Sequence, residues 1–201
     1  MRLGLLGGSF NPPHACHLAL ARAAAQTHAL DNVLLIPAAS PPHKRSGLAP
    51  AVDRLAMVRL AIAGEAGMEA SDIELRRAGR SYTYVTLDEL HQLHPGVTLF
   101  FILGGDSLRD LPSWRQPDRI LSLCRIVAID RPGVEVQLEP TDFPATCRAA
   151  LQQLARDRVP MEPCPLSSTA IRERLRQGET VDEQVPAAVL AYIREHGLYS
   201  T

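Results

Sequence analysis

The stretch "LGLLGGSFNPPHACHLALARAAAQ", residues 3–26, runs an apolar segment into two glycines, two prolines and then an alanine-rich helical pattern. A short apolar run bounded by turn residues reads as a strand buried on both faces. Such a strand needs helices above and below it, and a helix directly after it begins that cover. This junction points to a parallel sheet wound with helices. Sheets of that kind hold their ligands beyond the carboxyl ends of the strands.

The rest of the chain repeats the alternation. "NVLLIP" (32–37) reads as the second strand, followed by a proline-rich loop over residues 38–50. Residues 52–64 carry apolar side chains at helical spacing, and "SDIELRR" (71–77) is expected to be a third strand. "SYTYVTLDELHQL" (81–93) opens on serine and threonine and runs into a helix. "VTLFFILGGD" (97–106) is the clearest central strand, "PDRILSLC" a short helix and "RIVAID" a further strand. "CRAALQQLARD" is expected to be helical and "VPMEPCP" a last extended piece. "SSTAIRERLRQG" has a serine cap and a closing glycine, and "VPAAVLAYIREHG" repeats the device with Pro186 near its start and Gly197 at its end. No repeat or low-complexity linker divides these elements. The expected class is α/β: a Rossmann-like doubly wound parallel sheet in a single domain of residues 1–201, with a small C-terminal helical piece from about residue 167.

The 201 residues are 46% hydrophobic, enough for one sizeable core. A formal net charge of −1 provides no global field towards nucleic acid or membrane, so an anion-binding site has to be local. No apolar run approaches the ~20 residues of a membrane helix, and the N-terminus lacks a signal-type apolar core. Cys16, Cys124, Cys147 and Cys164 contain no C-x-x-C pair, which argues against zinc and thioredoxin-like chemistry. A reduced, cytoplasmic protein is the expectation.

The opening stretch suits a phosphate. Gly7 and Gly8 allow close backbone approach, and the helix beginning near His14 to His17 offers free N–H groups and its dipole. His14 and His17, three apart, share one face of a helical turn, so both can donate to one phosphate chain. The pattern is neither G-x-G-x-x-G nor a P-loop.

"GGSFNPPHACH" resembles the G-G-[ST]-F-D-P-x-H-x-G-H signature of the nucleotidylyltransferase superfamily, and "LSSTAIRERLRQG" resembles its I-S-S-T-x-I-R motif. "PPHK" (41–44), "SYTYVTL" (81–87), "GGDSLRDLPSW" (104–114), "RPG" (131–133) and "VPAAVLAYIREHGLY" are similar to blocks of the bacterial nicotinate-nucleotide adenylyltransferases, in the same order. The resemblance implies adenylyl transfer from ATP to nicotinic acid mononucleotide, releasing pyrophosphate, with no covalent intermediate. It implies that His14, His17, Lys44 and Arg172 handle the phosphates. Gly7, Gly8, Ser9, Phe10, Gly104, Asp106, Arg131, Ser167, Ser168 and Thr169 would bind ATP. Ser81, Tyr82, Thr83 and Trp114 would receive the mononucleotide. Magnesium would ride on the ATP phosphates, with no protein cage. Asp106 suits ribose hydroxyls or a magnesium-bound water, and equally an N-cap. A weakly active nucleotide-binding relative, or an enzyme using another acceptor such as nicotinamide mononucleotide, is the alternative.

Three positions depart from the pattern. Asn11 replaces an aspartate, a mild change in a turn. Val85 replaces an aspartate in the "SYTYVTL" block. Cys16 stands where the signature has glycine, either as a thiol made acidic by the helix end or as packing behind the loop.

Overall fold

The structure, a computed structural model, describes residues 1–41, 47–130, 138–162 and 164–200. β1 (Arg2–Gly8), β2 (Asn32–Pro37), β3 (Met68–Ala70), β4 (Thr98–Gly104), β5 (Arg125–Asp130) and β6 (Arg158–Pro160) form one sheet in the order β3-β2-β1-β4-β5-β6. This is the strand order of a doubly wound fold. The β1–β4, β4–β5 and β5–β6 pairs are parallel, with Leu3 opposite Leu99 and Ile102 opposite Val127. Parallel neighbours require crossovers, supplied by α1 (Ala15–Thr27), α2 (Ala51–Ala61), α3 (Thr83–Leu93), α4 (Gly105–Asp110), α5 (Pro117–Leu123) and α6 (Arg148–Arg156). Two helices, α7 (Ser168–Arg176) and α8 (Ala187–Glu195), end the chain.

The chain falls into two compact units. The first comprises Met1–Leu6, Leu20–Leu34 and Tyr82–Pro163. Its core is strand side chains: Leu3, Leu5, Leu99, Phe100, Ile102, Val127 and Ile129 are all buried. The Phe100 ring carries two guanidinium groups, Arg2 at 4.6 Å and Arg125 at 5.0 Å. Arg125 grips the buried Asp157 with two hydrogen bonds, of 2.8 and 2.5 Å, and Gln153 donates a third.

The second unit comprises Gly7–Ala19, Leu35–Ser81 and Cys164–Thr201. Met57 and Ala61 of α2 pack with Ile171 of α7, with Val181 and Val185, and with Val189, Leu190 and Ile193 of α8. The C-terminal helices therefore share a core with the middle of the chain. Tyr192 adds a hydroxyl hydrogen bond to Asp53 at 2.9 Å. Gly178 and Gly197 close the two helices with φ of +71° and +59°, as their placement in the sequence anticipates.

The expected third strand at 71–77 is corrected. The strand is Met68–Ala70, and the following residues turn. Ser71 Oγ accepts from Ile73 N–H, and Asp72 O accepts from both Leu75 and Arg76 N–H. These local bonds compete with sheet pairing and win.

Candidate active site

In the second unit the signature stretch is built around close backbone packing. β1 continues through Gly7 and Gly8, beyond the sequence expectation of a strand ending at Leu6. A Cβ on Gly8 would lie 3.3 Å from the Phe10 ring. Phe10 is 0% exposed and holds φ at +46°, so its side chain is core. The ring lies against His17 at a tilt, with centroids 4.8 Å apart.

Asn11 follows, 1% exposed, with both side-chain polar atoms and its carbonyl hydrogen-bonded. Its Nδ2 donates to Gly47 O at 2.9 Å. Its Oδ1 accepts from Ala49 N–H at 2.9 Å and from the Tyr199 hydroxyl at 2.7 Å. Its carbonyl accepts from Arg172 at 2.9 Å. The amide both donates and accepts side by side here, which an ionised aspartate cannot do.

Arg54 of α2 is the other anchor, also 1% exposed. Its guanidinium donates to Ala49 O at 2.9 Å, Ser9 O at 2.8 Å and Ala39 O at 3.4 Å. Burial lowers its pKa, while Tyr199 and Glu74 raise it again. Sequence reasoning missed Arg54, although a signal exists. It stands on the same helical stripe as Met57, Val58 and Ala61, where an arginine belongs only if its donors are satisfied.

The histidines come together as expected. Their ring centroids are 3.8 Å apart. His17 Nδ1 accepts from the His14 backbone N–H at 3.1 Å. A nitrogen that accepts carries no proton, so neutral His17 carries its proton on Nε2. His14 is 5% exposed and its Nδ1 has no hydrogen-bond partner. Burial holds its pKa at about 4, so it is uncharged at neutral pH.

One expectation narrows here. Two amides at the start of α1 are already engaged within the protein, Ala15 N–H by Gln184 O and His17 N–H by His14 O, both at 2.9 Å.

α7 delivers the second motif. Ser167 caps it, accepting from Ala170 N–H at 3.1 Å. The Ser168 hydroxyl donates to Pro12 O at 3.0 Å, and Thr169 Oγ1 accepts from Arg172 at 3.4 Å. Ser168, on Pro12 O, and Arg172, on Asn11 O, thus fasten the two motifs together. Arg172 Nε has no partner, and burial lowers the guanidinium pKa. Cys16 and Cys164 form a disulfide, which corrects the expectation of four free thiols. Cys124 and Cys147 are free and buried. Ser81 exchanges two hydrogen bonds with Ser40, each of 3.1 Å.

In the first unit, Gly104 ends β4, and a Cβ there would meet open space. Packing within the protein does not demand a glycine at that point. Gly104 holds the cap position of α4, without a side-chain bond, and Asp106 lies one residue inside the helix. The N-cap reading of Asp106 is therefore corrected. The carboxylate is exposed and its bond to Arg109 is long, at 3.4 Å. Trp114 follows a 3-10 turn, half-buried, its ring edge-on to Phe101 at 6.0 Å. Tyr82 and Thr83 begin α3, with Tyr82 stacked on Tyr84 at 6.1 Å. Val85 sits at the third position of that helix, whose first turn carries no acidic residue. The departure at Val85 thus removes a charge from a helix start. Lys44 and Arg131 lie outside the described residues.

Among the described residues, no group of three or more His, Cys, Asp or Glu side chains gathers to hold a metal ion. A cavity of about 290 Å³ lined by His91, Leu99, Leu123, Arg125 and Gln153 contains none of the sequence-predicted residues. Its guanidinium is already engaged by Asp157, so it offers no comparable anion site.

Comparison with known proteins identifies the family and the fold. The cytidylyltransferase-like family matches residues 5–174. A probable nicotinate-nucleotide adenylyltransferase of Roseiflexus is 45% identical over 202 residues, covering 98% of this chain and 97% of the relative. A protein of the same name from Oceanobacillus iheyensis is 38% identical over 197 residues, covering 98% and 96%. The Plasmodium falciparum nicotinic acid mononucleotide adenylyltransferase, solved with NaAD, shares the fold with a TM-score of 0.76 at 18% identity, covering 98% and 97%.

Proposed function

Because the chain belongs to the cytidylyltransferase-like family and, within it, to the nicotinate-nucleotide adenylyltransferases, we propose that its signature loop and α7 hold ATP for adenylyl transfer. The enzyme transfers the adenylyl group of ATP to nicotinic acid mononucleotide, giving nicotinic acid adenine dinucleotide and pyrophosphate. The single observation that carries the residue assignment is the pair of imidazoles in contact, ring centroids 3.8 Å apart, in the loop whose Asn11 carbonyl holds Arg172.

Direct displacement at a phosphate requires positioning and charge stabilisation, not a covalent partner. His17 presents Nε2–H to the phosphate chain, its ring oriented from behind by the His14 amide. His14 enters as a neutral donor. Both contacts strengthen as charge grows on the bridging oxygen. Arg172 adds a fixed positive charge, held in place by Asn11 O. Lys44 and Arg131 join the phosphates and the adenine by family resemblance. Gly7, Gly8, Ser9 and the Phe10 backbone line the phosphates. Gly104 leaves room for adenosine, and Asp106 takes ribose or a magnesium-bound water. Ser81, Tyr82 and Thr83 receive the nicotinate carboxylate, and Trp114 stacks on the pyridine ring.

Magnesium, when bound, would neutralise the triphosphate, carried by the ATP oxygens and water. Among the described residues no helix is long and apolar enough to cross a membrane. We place the enzyme in the cytoplasm, with its nucleotide substrates. The test is pyrophosphate release by the purified protein with ATP, magnesium and a panel of acceptors. Release is expected with nicotinic acid mononucleotide ahead of its amide. Equal or faster release with nicotinamide mononucleotide overturns the acceptor assignment.

A further inference from the structure

The cysteine pair has no part in the reaction above, yet it joins the two motifs that carry it. Cys16 is the second residue of α1, between His14 and His17, and Cys164 leads into the cap of α7. Their Cα atoms are 5.8 Å apart, inside the range that a disulfide spans without backbone movement. That separation is held independently by Ser168 on Pro12 O and Arg172 on Asn11 O, so the reduced thiols remain neighbours. The two sulfurs differ in access. Cys16 is 5% exposed, whereas Cys164 is only partly covered.

We propose that Cys16 and Cys164 form a thiol–disulfide exchange site for a small dithiol/disulfide couple, and that its oxidised form is the tighter ATP binder. The effect on ATP rests on the functional reading above. The exchange chemistry does not.

A reductant thiolate attacks the accessible Cys164 sulfur, forming a mixed disulfide, and the Cys16–Cys164 bond breaks with its electron pair on Cys16. Cys16 leaves as a thiolate at a helix N-terminus, the position that stabilises one. The second thiol of the reductant resolves the mixed disulfide, releasing a free Cys164 thiol and the oxidised reductant. Oxidation by a disulfide such as glutathione disulfide runs the same steps backwards. In a reducing cytoplasm a pair of this kind exchanges with the thiol pool. Reduction has two consequences. A closed loop of 148 residues is opened in the unfolded state. A negative charge also appears beside the imidazoles that face the ATP phosphates, and its repulsion should weaken ATP binding about fivefold.

The experiment treats the full chain with dithiothreitol or with glutathione disulfide. It measures titratable thiols after denaturation, the melting temperature, and Mg-ATP binding by calorimetry. The expected result is two thiols in the oxidised protein against four in the reduced. Melting should fall by about 10 °C on reduction. The Kd for Mg-ATP should rise about fivefold. All three changes should reverse on reoxidation and vanish in Cys16→Ser/Cys164→Ser. Cys164→Ser alone, which keeps the Cys16 thiol, should bind ATP as the reduced protein does. Four thiols after glutathione disulfide treatment overturn the site. A melting shift with unchanged ATP affinity overturns the effect on ATP. Redox dependence surviving in the double variant moves the chemistry to Cys124 or Cys147 and overturns the assignment. If the protein bound no ATP in either state, the functional reading would fail, while thiol count and melting would still decide the exchange.

Discussion

Replacing Arg54 with methionine should unfasten the site while leaving its ligand-facing groups in the chain. The guanidinium joins Ser9 of the signature, Ala39 after β2 and Ala49 before α2 through hydrogen bonds of 2.8, 3.4 and 2.9 Å. Two have ordinary lengths and the third is weak. Each bond from a charged donor is worth about 1.5–3 kcal/mol, and the orphaned carbonyls remain buried. Methionine fills most of the space, so the cavity cost is small. Removing a buried charge returns part of the desolvation cost, but it also takes a cation from beside Glu74. The net loss is about 3 kcal/mol. For a chain of this size that lowers the melting temperature by roughly 6–12 °C. Well below melting, kcat/KM should drop more than tenfold, since Ser9 belongs to the proposed phosphate loop. Arg54→Lys should be intermediate, its single ammonium reaching fewer carbonyls. Thermal melts and steady-state kinetics of both variants decide the matter. Melting within about 2 °C of the parent, with kcat/KM intact, would refute the anchoring role.

His17→Ala should lower kcat by about two to four decades with little change in KM, because its contact is made mainly in the transition state. Near-parent turnover in a folded variant removes His17 from the mechanism. His14 has a pKa of about 4 in the fold against 6.5 as its ordinary value, so between those pH values the unfolded chain binds more protons. Its contribution to stability is full above pH 6.5 and falls by up to about 3 kcal/mol as pH drops towards 4. Denaturant titrations of His14→Gln should show a shallower acid limb than the parent, and parallel limbs count against the burial argument. Trp114→Ala should raise KM for nicotinic acid mononucleotide about tenfold and leave KM for ATP within about twofold. Equal effects on both substrates would remove the stacking assignment.

The alternation of apolar runs with helical patterns was readable because strands buried on both faces are continuous hydrophobic segments. β2 begins and ends where its sequence pattern does. The 71–77 stretch misled because its apolar positions alternate, while Ser71 and Asp72 close local turns that no periodicity reveals. Within the site, His14 and His17 were legible from spacing, since three residues make one helical turn. The amide partners at the start of α1 were not, because Gln184 reaches Ala15 from 169 positions along the chain. Asn11 looked like a mild substitution. Its value lies in bonds to Gly47, Ala49 and Tyr199 that only folding brings together. The cysteine pair was hidden for the same reason: wide spacing in sequence conceals Cα atoms 5.8 Å apart.

The proposed roles all rest on direct passage of the adenylyl group from ATP to the phosphate of nicotinic acid mononucleotide. Incubating the protein with ATP labelled at the α-phosphorus, magnesium and the mononucleotide tests it most directly. Label should appear in nicotinic acid adenine dinucleotide in step with unlabelled pyrophosphate, and His17→Ala should slow both together. Label that stays with AMP or ATP, or enters a dinucleotide faster with nicotinamide mononucleotide than with the nicotinate form, would contradict it.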